Sequence, residues 1–303
     1  MELRQLAAVE AVARHRHFTR AAEELHLAQS ALSHQIRKLE RELGIALFER
    51  TSRRVVPTEA GLAIAERARR VATEIDGARQ EIDELQGTLR GHLWIGPLVP
   101  AGDVDVPGLL ARFSQAYPGI EVGLREGVAA DMLRRLATDE LDVAFSLLAD
   151  RPPAEFAVEP FGHEDVVVAF APDRGPPGAA AAVSVADLAA RTLVAPRRGS
   201  AITSVLEARF AAAGQPLHLA LESGDPFLLR ALAARGFAAA VLPRSLTALE
   251  GPALDARRLR PAARLPVALV WRRTRPLSPA ARAFVDFVRR QVGAAGGPRN
   301  STP

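Results

Sequence analysis

Phe18-Thr19-Arg20-Ala21-Ala22-Glu23-Glu24-Leu25-His26-Leu27-Ala28-Gln29-Ser30-Ala31-Leu32-Ser33-His34-Gln35-Ile36-Arg37-Lys38-Leu39-Glu40-Arg41-Glu42-Leu43 holds two helical patterns with almost no turn between them. In the second, Leu32, Ile36, Leu39 and Leu43 recur at spacings of four, three and four, one face of a helix. Ser30, Ser33, His34, Arg37 and Arg41 fall on the opposite face: short hydroxyls, an imidazole and guanidinium groups. Short donors near a helix start can approach base edges in a DNA major groove, while arginines further along reach bases or phosphates. An amphipathic surface helix with solvated charges fits the same pattern when it is read alone.

The flanking residues decide between these readings. The preceding helix, expected over residues 19–25, starts at Thr19, a residue able to cap it, and offers Ala21, Ala22 and Leu25 for packing. The small alanine pair permits the close crossing that a helix-turn-helix needs. A first helix over residues 3–13 buries Leu6, Val9 and Ala13. After Gly44, a natural helix stop, Leu47-Phe48-Glu49-Arg50 and Arg54-Val55-Val56-Pro57 flank the polar tip Thr51-Ser52-Arg53. Two short apolar strands around such a tip predict a β-hairpin, with Arg50, Arg53 and Arg54 clustered on it. Three helices and a basic hairpin make a winged helix-turn-helix.

This run resembles the N-terminal domain of the LysR-type transcriptional regulators. The resemblance rests on Phe18, Ala21-Ala22, Leu25, Gln29-Ser30-Ala31-Leu32-Ser33, Gln35-Ile36, Leu39-Glu40, Leu43-Gly44, Leu47-Phe48-Glu49-Arg50 and Pro57-Thr58-Glu59-Ala60-Gly61. Ala28 departs from it, since a capping Ser or Thr is more usual before the recognition helix; losing that cap costs on the order of 1 kcal/mol. The set expected at DNA is Thr19, Gln29, Ser30, Ser33, His34, Arg37, Arg50, Arg53 and Arg54. Gln29, Ser30, Ser33, His34 and Arg37 are assigned to bases. By analogy with the family's wing, Arg53 and Arg54 are assigned to phosphate or the minor groove.

The bulk composition sets outer limits. With 303 residues, the chain has room for two or three domains with their own cores. Its apolar residues, 48% of the total, form no uninterrupted run long enough for a membrane span. The N-terminus is already an amphipathic helix with charges, so no secretory signal is expected and the chain is read as cytoplasmic. The absence of cysteine removes disulfides, thiolate catalysis and cysteine-ligated zinc together. Net charge is only +4, and Lys38 is the sole lysine; abundant Arg and Ala point to a GC-rich genome rather than to a function. Residues 1–58 carry ten Lys and Arg against seven Asp and Glu, so DNA binding here depends on placement rather than excess.

From Thr58 a helical pattern runs to about residue 89. Ile64, Ala68, Val71, Ile75, Ala78, Ile82 and Leu85 form a heptad seam flanked by Arg and Glu. A rod with one narrow apolar stripe predicts a pairing helix; a long helix packed on its own domain is the alternative. Two protomers would present two recognition helices to two half-sites. Gly87 and Gly91 mark its end.

Beyond Gly91, strands alternate with helices. Strands are expected at residues 93–99, 120–124, 141–147, 156–162, 166–170, 192–196, 217–222, 238–242 and 265–271. Helices are expected at residues 106–117, 130–138, 200–213, 226–235 and 279–292. Residues 174–182 read as a loose segment and residues 293–303 as a disordered tail. Repeated βα units predict mostly parallel sheets, too large for one sheet, hence two lobes with a cleft. The fold class is therefore α/β overall, with a mainly helical N-terminal region and a linker helix.

This half resembles the LysR-type effector-binding domain, a periplasmic-binding-protein-like pair of lobes. The resemblance is carried by Leu109-Leu110-Ala111-Arg112-Phe113, Tyr117-Pro118-Gly119, Leu141-Asp142-Val143-Ala144, Gly199-Ser200, Gly236-Phe237, Val241-Leu242-Pro243-Arg244-Ser245 and Leu277-Ser278-Pro279. It implies a chain that crosses between lobes near His163 and returns near Pro266. The resulting division is a DNA-binding domain at 1–58, a linker helix at 59–89 and an effector-binding domain at 90–292. Lobe I takes about 91–162 and 266–292, and lobe II about 163–265.

A pocket in such a fold lies between the lobes, at loops that open helices. In Arg197-Arg198-Gly199-Ser200-Ala201-Ile202-Thr203 a strand ends, Gly permits close approach, and a helix start supplies free N–H groups. Arg198, Gly199, Ser200, Ala201 and Thr203 thus favour a carboxylate or other anion. Equally, Ser200 simply caps its helix and both arginines are solvated. Opposite, the resemblance implies the loop after the first strand, Pro97-Leu98-Val99-Pro100-Ala101-Gly102, which lacks the Ser or Thr often found in the family; with Leu98, Val99 and Pro100 there, either the effector is less polar on that side or the chain responds weakly to any ligand. Gly127 and Val128, with Asp225 of Ser223-Gly224-Asp225, complete the candidate walls.

No catalytic or metal-binding constellation emerges. His163-Glu164-Asp165, adjacent in sequence, cannot all face one ion, and no G-x-S-x-G, P-loop or G-x-G-x-x-G motif is present. The expected protein is a non-enzymatic, cofactor-free regulator that binds double-stranded promoter DNA as a homodimer or homotetramer. It responds to a small-molecule effector and meets RNA polymerase if it activates. The competing reading is a cytoplasmic small-molecule-binding α/β protein without a DNA role.

Overall fold

The computed structural model describes residues 1–50, 55–96, 104–125, 129–175 and 182–295. Met1–Thr88 with Thr138–Glu140 make one compact unit, and Leu89–Ala137 with the residues from Leu141 onward make a second.

In the first unit, α1 (Leu3–His15), α2 (Phe18–Glu24) and α3 (Gln29–Leu43) precede a hairpin of β1 (Phe48–Arg50) and β2 (Val55–Pro57), and α4 (Glu59–Leu85) follows. The core gathers Val9 and Val12 of α1, Phe18 and Ala22 of α2, Leu32, Ile36 and Leu39 of α3, and Leu47 and Phe48 at the hairpin. Phe18 and Phe48 meet edge to face, 6.1 Å between ring centroids. Helix α1 runs to His15 because Glu2 and Gln5 close a capping box at its start and Arg16 takes a left-handed φ of 50° at its end. Helix α2 begins one residue earlier than expected: His17 is its cap, without a side-chain bond, and Thr19 lies inside the first turn. Ala28 caps α3 without a side-chain hydrogen bond, and Gly44, at φ 69°, ends it. Leu43, expected on the buried face, is exposed, because the core stops at Leu39.

The hairpin strands are antiparallel, Phe48 opposite Pro57 and Arg50 opposite Val55. Thr58 caps α4, its hydroxyl oxygen accepting from the Gly61 N–H at 3.0 Å. The helix ends at Leu85, four residues short of the expected end, with Gly87 left-handed beyond it. Along the heptad seam Ala68 is buried while Ile64, Val71 and Ile75 are half-buried, so α1 shares part of the stripe. The far end is open: Ile82 is 56% and Leu85 88% exposed.

The second unit contains β3 (Gly91–Ile95), α5 (Val106–Ala116), β4 (Ile120–Leu124), α6 (Ala129–Ala137), β5 (Ala144–Leu147), β6 (Phe156–Phe170), β7 (Ala182–Ser184) and α7 (Val185–Ala189). It continues with β8 (Leu193–Pro196), α8 (Ala201–Ala212), β9 (Leu219–Ser223), α9 (Pro226–Ala234), β10 (Ala239–Pro243), α10 (Arg244–Thr247), β11 (Asp255–Arg272) and α11 (Pro279–Ala295). The main sheet runs β5-β11-β6-β10-β8-β9, with β7 also on β11; β3 and β4 pair in parallel and touch β5's approach through an Ile95–Val143 bridge.

Two corrections concern the long strands. The strands expected at 156–162 and 166–170 are one 15-residue strand, and the strand expected at 265–271 extends to 18 residues. They pair antiparallel along most of their length, with His163 opposite Pro266. The polar His163-Glu164-Asp165 reads as a turn, but the partner strand satisfies its backbone and keeps it extended. The sheet is therefore mixed: β6 pairs antiparallel with β10 and β11, whereas β8 is parallel to β9 and β10. One group of buried side chains, including Leu93, Phe113, Phe145, Phe284 and Val288, lies on one side of the His163–Pro266 pairing along the strands; another, including Val168, Leu188, Ile202, Phe210 and Leu259, lies on the other. Helix α11 reaches Ala295, so residues 293–295 are helical rather than part of a disordered tail; 296–303 lie outside the described residues. Among the described residues, no helix is long and apolar enough to cross a membrane.

Candidate nucleic-acid interface and effector-binding unit

The exposed face of α3 carries Gln29, Ser30, His34, Arg37 and Arg41. Arg37 Nε donates to the Ser33 carbonyl at 3.3 Å and Arg41 Nε to the Arg37 carbonyl at 3.3 Å. Each guanidinium is thus steadied on its own helix, with terminal N–H groups left for other acceptors. His34, Arg37 and Arg41 line an open groove of about 610 Å³ that ends at Gly44 and Ile45. Ser33, grouped with the wet face in the sequence, is buried, and its hydroxyl accepts a long 3.4 Å bond from Gln29 Nε2. Its position one residue after Leu32 puts it at the edge of the apolar stripe, which a strict two-face reading overlooks. Thr19 is exposed on α2 and Arg50 ends β1; Arg53 and Arg54 lie outside the described residues.

The base of the hairpin is fixed by groups to which the sequence reading gave no role. The Glu40 carboxylate accepts from the Leu47 and Phe48 N–H groups at 2.9 and 3.3 Å. Thr58 N–H donates to the Leu47 carbonyl at 3.0 Å, and its hydroxyl to the Ala46 carbonyl at 2.8 Å. The signal was Glu40, one of two acids on α3, placed beside buried Leu39 and seven residues before Leu47. Lys38 turns away from the groove to Glu2, 3.2 Å from Nζ to Oε1. On α1 and α2, Arg14 bonds both Glu10 and Glu24, and His15 Nε2 lies 2.6 Å from Glu24. The Arg14 hydrogen bond, joined by His15 and opposed by partial burial, holds the Glu24 carboxyl down at about 2.

In the second unit, Gly199 takes a left-handed φ of 82° between β8 and α8. Ser200 caps α8, accepting from Thr203 N–H at 3.1 Å and donating to Thr203 Oγ1 at 3.0 Å. Thr203 is buried and gives its own hydroxyl proton to the Pro196 carbonyl at 2.6 Å. The capping alternative accounts for both hydroxyls. Arg198 is exposed but not unpaired: its backbone N–H and Nε donate to the Glu222 carboxylate at 2.9 and 3.0 Å, with Glu207 at 3.4 Å. The same contact lowers the Glu222 carboxyl and raises Arg198. Asp225 caps α9, accepting from Phe227 and Leu228 N–H at 2.9 and 3.3 Å. Ala201 opens α8, while Leu98, Val99, Pro100, Gly127 and Val128 lie outside the described residues. Beside the His163–Pro266 pairing, buried Glu164 accepts from Ser245 N–H at 3.1 Å and Ser245 Oγ at 2.5 Å. It faces away from its sequence neighbours, and among the described residues no group of three or more His, Asp or Glu is placed to hold a metal ion.

Comparison with known proteins matches both units to one family. Residues 3–62 match the family model "Bacterial regulatory helix-turn-helix protein, lysR family", and residues 86–293 match "LysR substrate binding domain". The chain is 34% identical over 298 residues to the RuBisCO operon transcriptional regulator of Allochromatium vinosum, covering 95% of each. It is 36% identical over 194 residues to the DNA-binding transcriptional dual regulator OxyR of Escherichia coli K12, covering 64% of this chain and 63% of that one. Among solved structures it resembles the LysR family regulator CbnR, with a TM-score of 0.68, 26% identity, and coverage of 96% of this chain and 99% of that one. A full-length OxyR variant from Pseudomonas aeruginosa gives a TM-score of 0.71 at 26% identity, covering 95% of each chain. A helix-turn-helix with a hairpin beside it and a mixed α/β unit, with family models matched over residues 3–62 and 86–293, place this chain in the LysR family of transcriptional regulators.

Proposed function

We propose that the chain reads promoter DNA with the exposed face of α3, in pairs held together through α4, and that a small molecule in the second unit tunes this binding. The observation that carries the reading is the face itself: Gln29, Ser30 and His34 near the start of α3, then Arg37 and Arg41 steadied by backbone bonds. Base contacts are assigned to Gln29, Ser30, His34 and Arg37. Thr19 and Arg50 go to the backbone, with Arg53 and Arg54 at the wing. Ser33 acts from beneath, by orienting Gln29. The open Ile82 and Leu85 end of the heptad stripe supports pairing of α4 with a second copy.

The effector is read as a metabolite rather than an oxidant. Several relatives are named hydrogen peroxide-inducible activators, but this chain has no cysteine, so reversible thiol oxidation is chemically closed to it. Because Arg198 is engaged by Glu222, effector recognition is assigned to Gly199, Ala201 and the α8 N–H groups rather than to that guanidinium.

The test is fluorescence anisotropy of the full chain on duplex DNA from its own upstream region, across a salt series. Affinity is expected to fall steeply, linearly in log–log form, as counterions are released. Salt-independent or absent binding would return the chain to the reading of a small-molecule binder without a DNA role.

A further inference from the structure

A small pocket of about 160 Å³ opens at the N-terminal ends of β8 and β10, the opposite end of these strands from the start of α8. Phe170, Arg174, Arg191, Thr192 and Phe237 form its walls. Arg191 Nη1 donates to the Arg174 carbonyl at 3.0 Å, and its guanidinium lies 5.3 Å from the Phe170 ring centroid. Arg174 Nη1 in turn donates to the Gly236 carbonyl at 3.0 Å. Gly236 is left-handed at φ 69°, and a Cβ there would press on the Arg174 side chain at 2.9 Å. Backbone carbonyls therefore set both cations in place.

Among the described residues neither Arg174 nor Arg191 forms an ion pair; Asp187, whose carboxylate acts on Arg191 at longer range, is anchored by the N–H and hydroxyl of Ser184 at 2.8 and 2.7 Å. Two guanidiniums on one small pocket repel each other unless an anion sits between them. Each spends one N–H on a carbonyl and keeps further donors in the fork geometry that matches a carboxylate. The rest of the lining, Thr192 apart, carries no polar side chain, and Phe237 is 55% exposed, far more than a core phenylalanine.

We propose that this pocket binds a small organic monocarboxylate, its charge between Arg174 and Arg191 and its apolar body on Phe237. The volume admits a ligand of about one ring, well below the roughly 300–1,000 Å³ of ordinary cofactor and drug sites. The site is separate from the start of α8 and does not depend on the DNA-binding reading.

The test places a reporter in the pocket. Phe237→Trp in the full-length chain, an exposed aromatic exchange, is titrated with benzoate, with benzamide as the uncharged shape control and inorganic phosphate as the anion without an apolar body. A saturable fluorescence change with benzoate is expected, with benzamide and phosphate each at least about tenfold weaker. Arg191→Gln and Arg174→Gln in the same background should each weaken benzoate about tenfold or more. Calorimetry on the unmodified chain should give the same benzoate affinity. The proposal is overturned by no saturable change with benzoate, by benzamide or phosphate matching it, or by benzoate binding that survives both arginine exchanges. Should the Gln variants fail to fold, the reporter and calorimetric titrations with both arginines intact still decide the matter.

Discussion

Gly61 is where the recognition unit should be most sensitive to a single methyl group. A Cβ at this position would stand 2.0 Å from the Leu47 carbonyl oxygen. That is about 1.3 Å short of the roughly 3.3 Å at which carbon and oxygen ordinarily meet. The obstacle is backbone, so no side chain can swing aside. Relief requires α4 to move off the hairpin base, loosening the 3.0 Å bond from Thr58 N–H to Leu47 and the 2.8 Å bond from the Thr58 hydroxyl to Ala46. Overpacking costs about 1–3 kcal/mol, and two weakened hydrogen bonds add about 1 kcal/mol each. Better helix propensity returns about 1 kcal/mol. Gly61→Ala should therefore lose about 2–4 kcal/mol, a fall in Tm of roughly 8–30 °C for a unit of this size. Differential scanning calorimetry on the full chain measures it. Gly77→Ala is the control: on the same helix with nothing within 4 Å, it should gain about 0.5–1 kcal/mol. A Gly61→Ala chain within about 0.5 kcal/mol of the parent would mean that α4 does not abut the hairpin.

Three further outcomes are expected. Glu24→Gln should remove a stabilisation that is present above about pH 4.5 and lost as the pH falls toward 2, because Arg14 holds the folded carboxyl at about 2. With the Glu24 side chain 40% exposed, screening limits this to about 1 kcal/mol; pH-dependent urea unfolding should show the two chains converging near pH 2. Ile82→Asp with Leu85→Asp should shift the chain toward monomers in light scattering without loss of helical circular dichroism, because both residues are solvent-exposed within one chain. Ser200→Ala should cost about 1 kcal/mol through the lost cap on α8, seen as a lower urea midpoint.

The helices of the first unit were legible because their stripes are strict. Leu32, Ile36 and Leu39 repeat at the helical period and are buried as that period requires. Helix ends were read less well where backbone geometry rather than residue type decides: Thr19 looks like a cap, yet His17 occupies that place. In the second unit, β4 was readable to the residue, while β6 and β11 were not. A strand that passes from one core to the next alternates for one environment and then for another, and polar His163-Glu164-Asp165 at the changeover mimics a turn. The short β7, α7 and α10 carry too few residues for any period to register. At the candidate sites the residue types were visible, but their partners were not. Nothing local in Arg198 announces Glu222, 24 positions away, whereas the burial of Ser33 is announced only by its place beside Leu32, at the edge of the apolar stripe.

The exposed face of α3 is the centre of the account, and Arg37 tests it most directly. Anisotropy competition between the upstream duplex and a scrambled duplex gives a specificity ratio for the parent and for Arg37→Ala. Loss of one bidentate base contact is worth about 1–3 kcal/mol, so the ratio should fall roughly 5- to 150-fold while the melting temperature stays put. An unchanged ratio, with binding to both duplexes intact, would contradict the assignment of α3 as the reading helix.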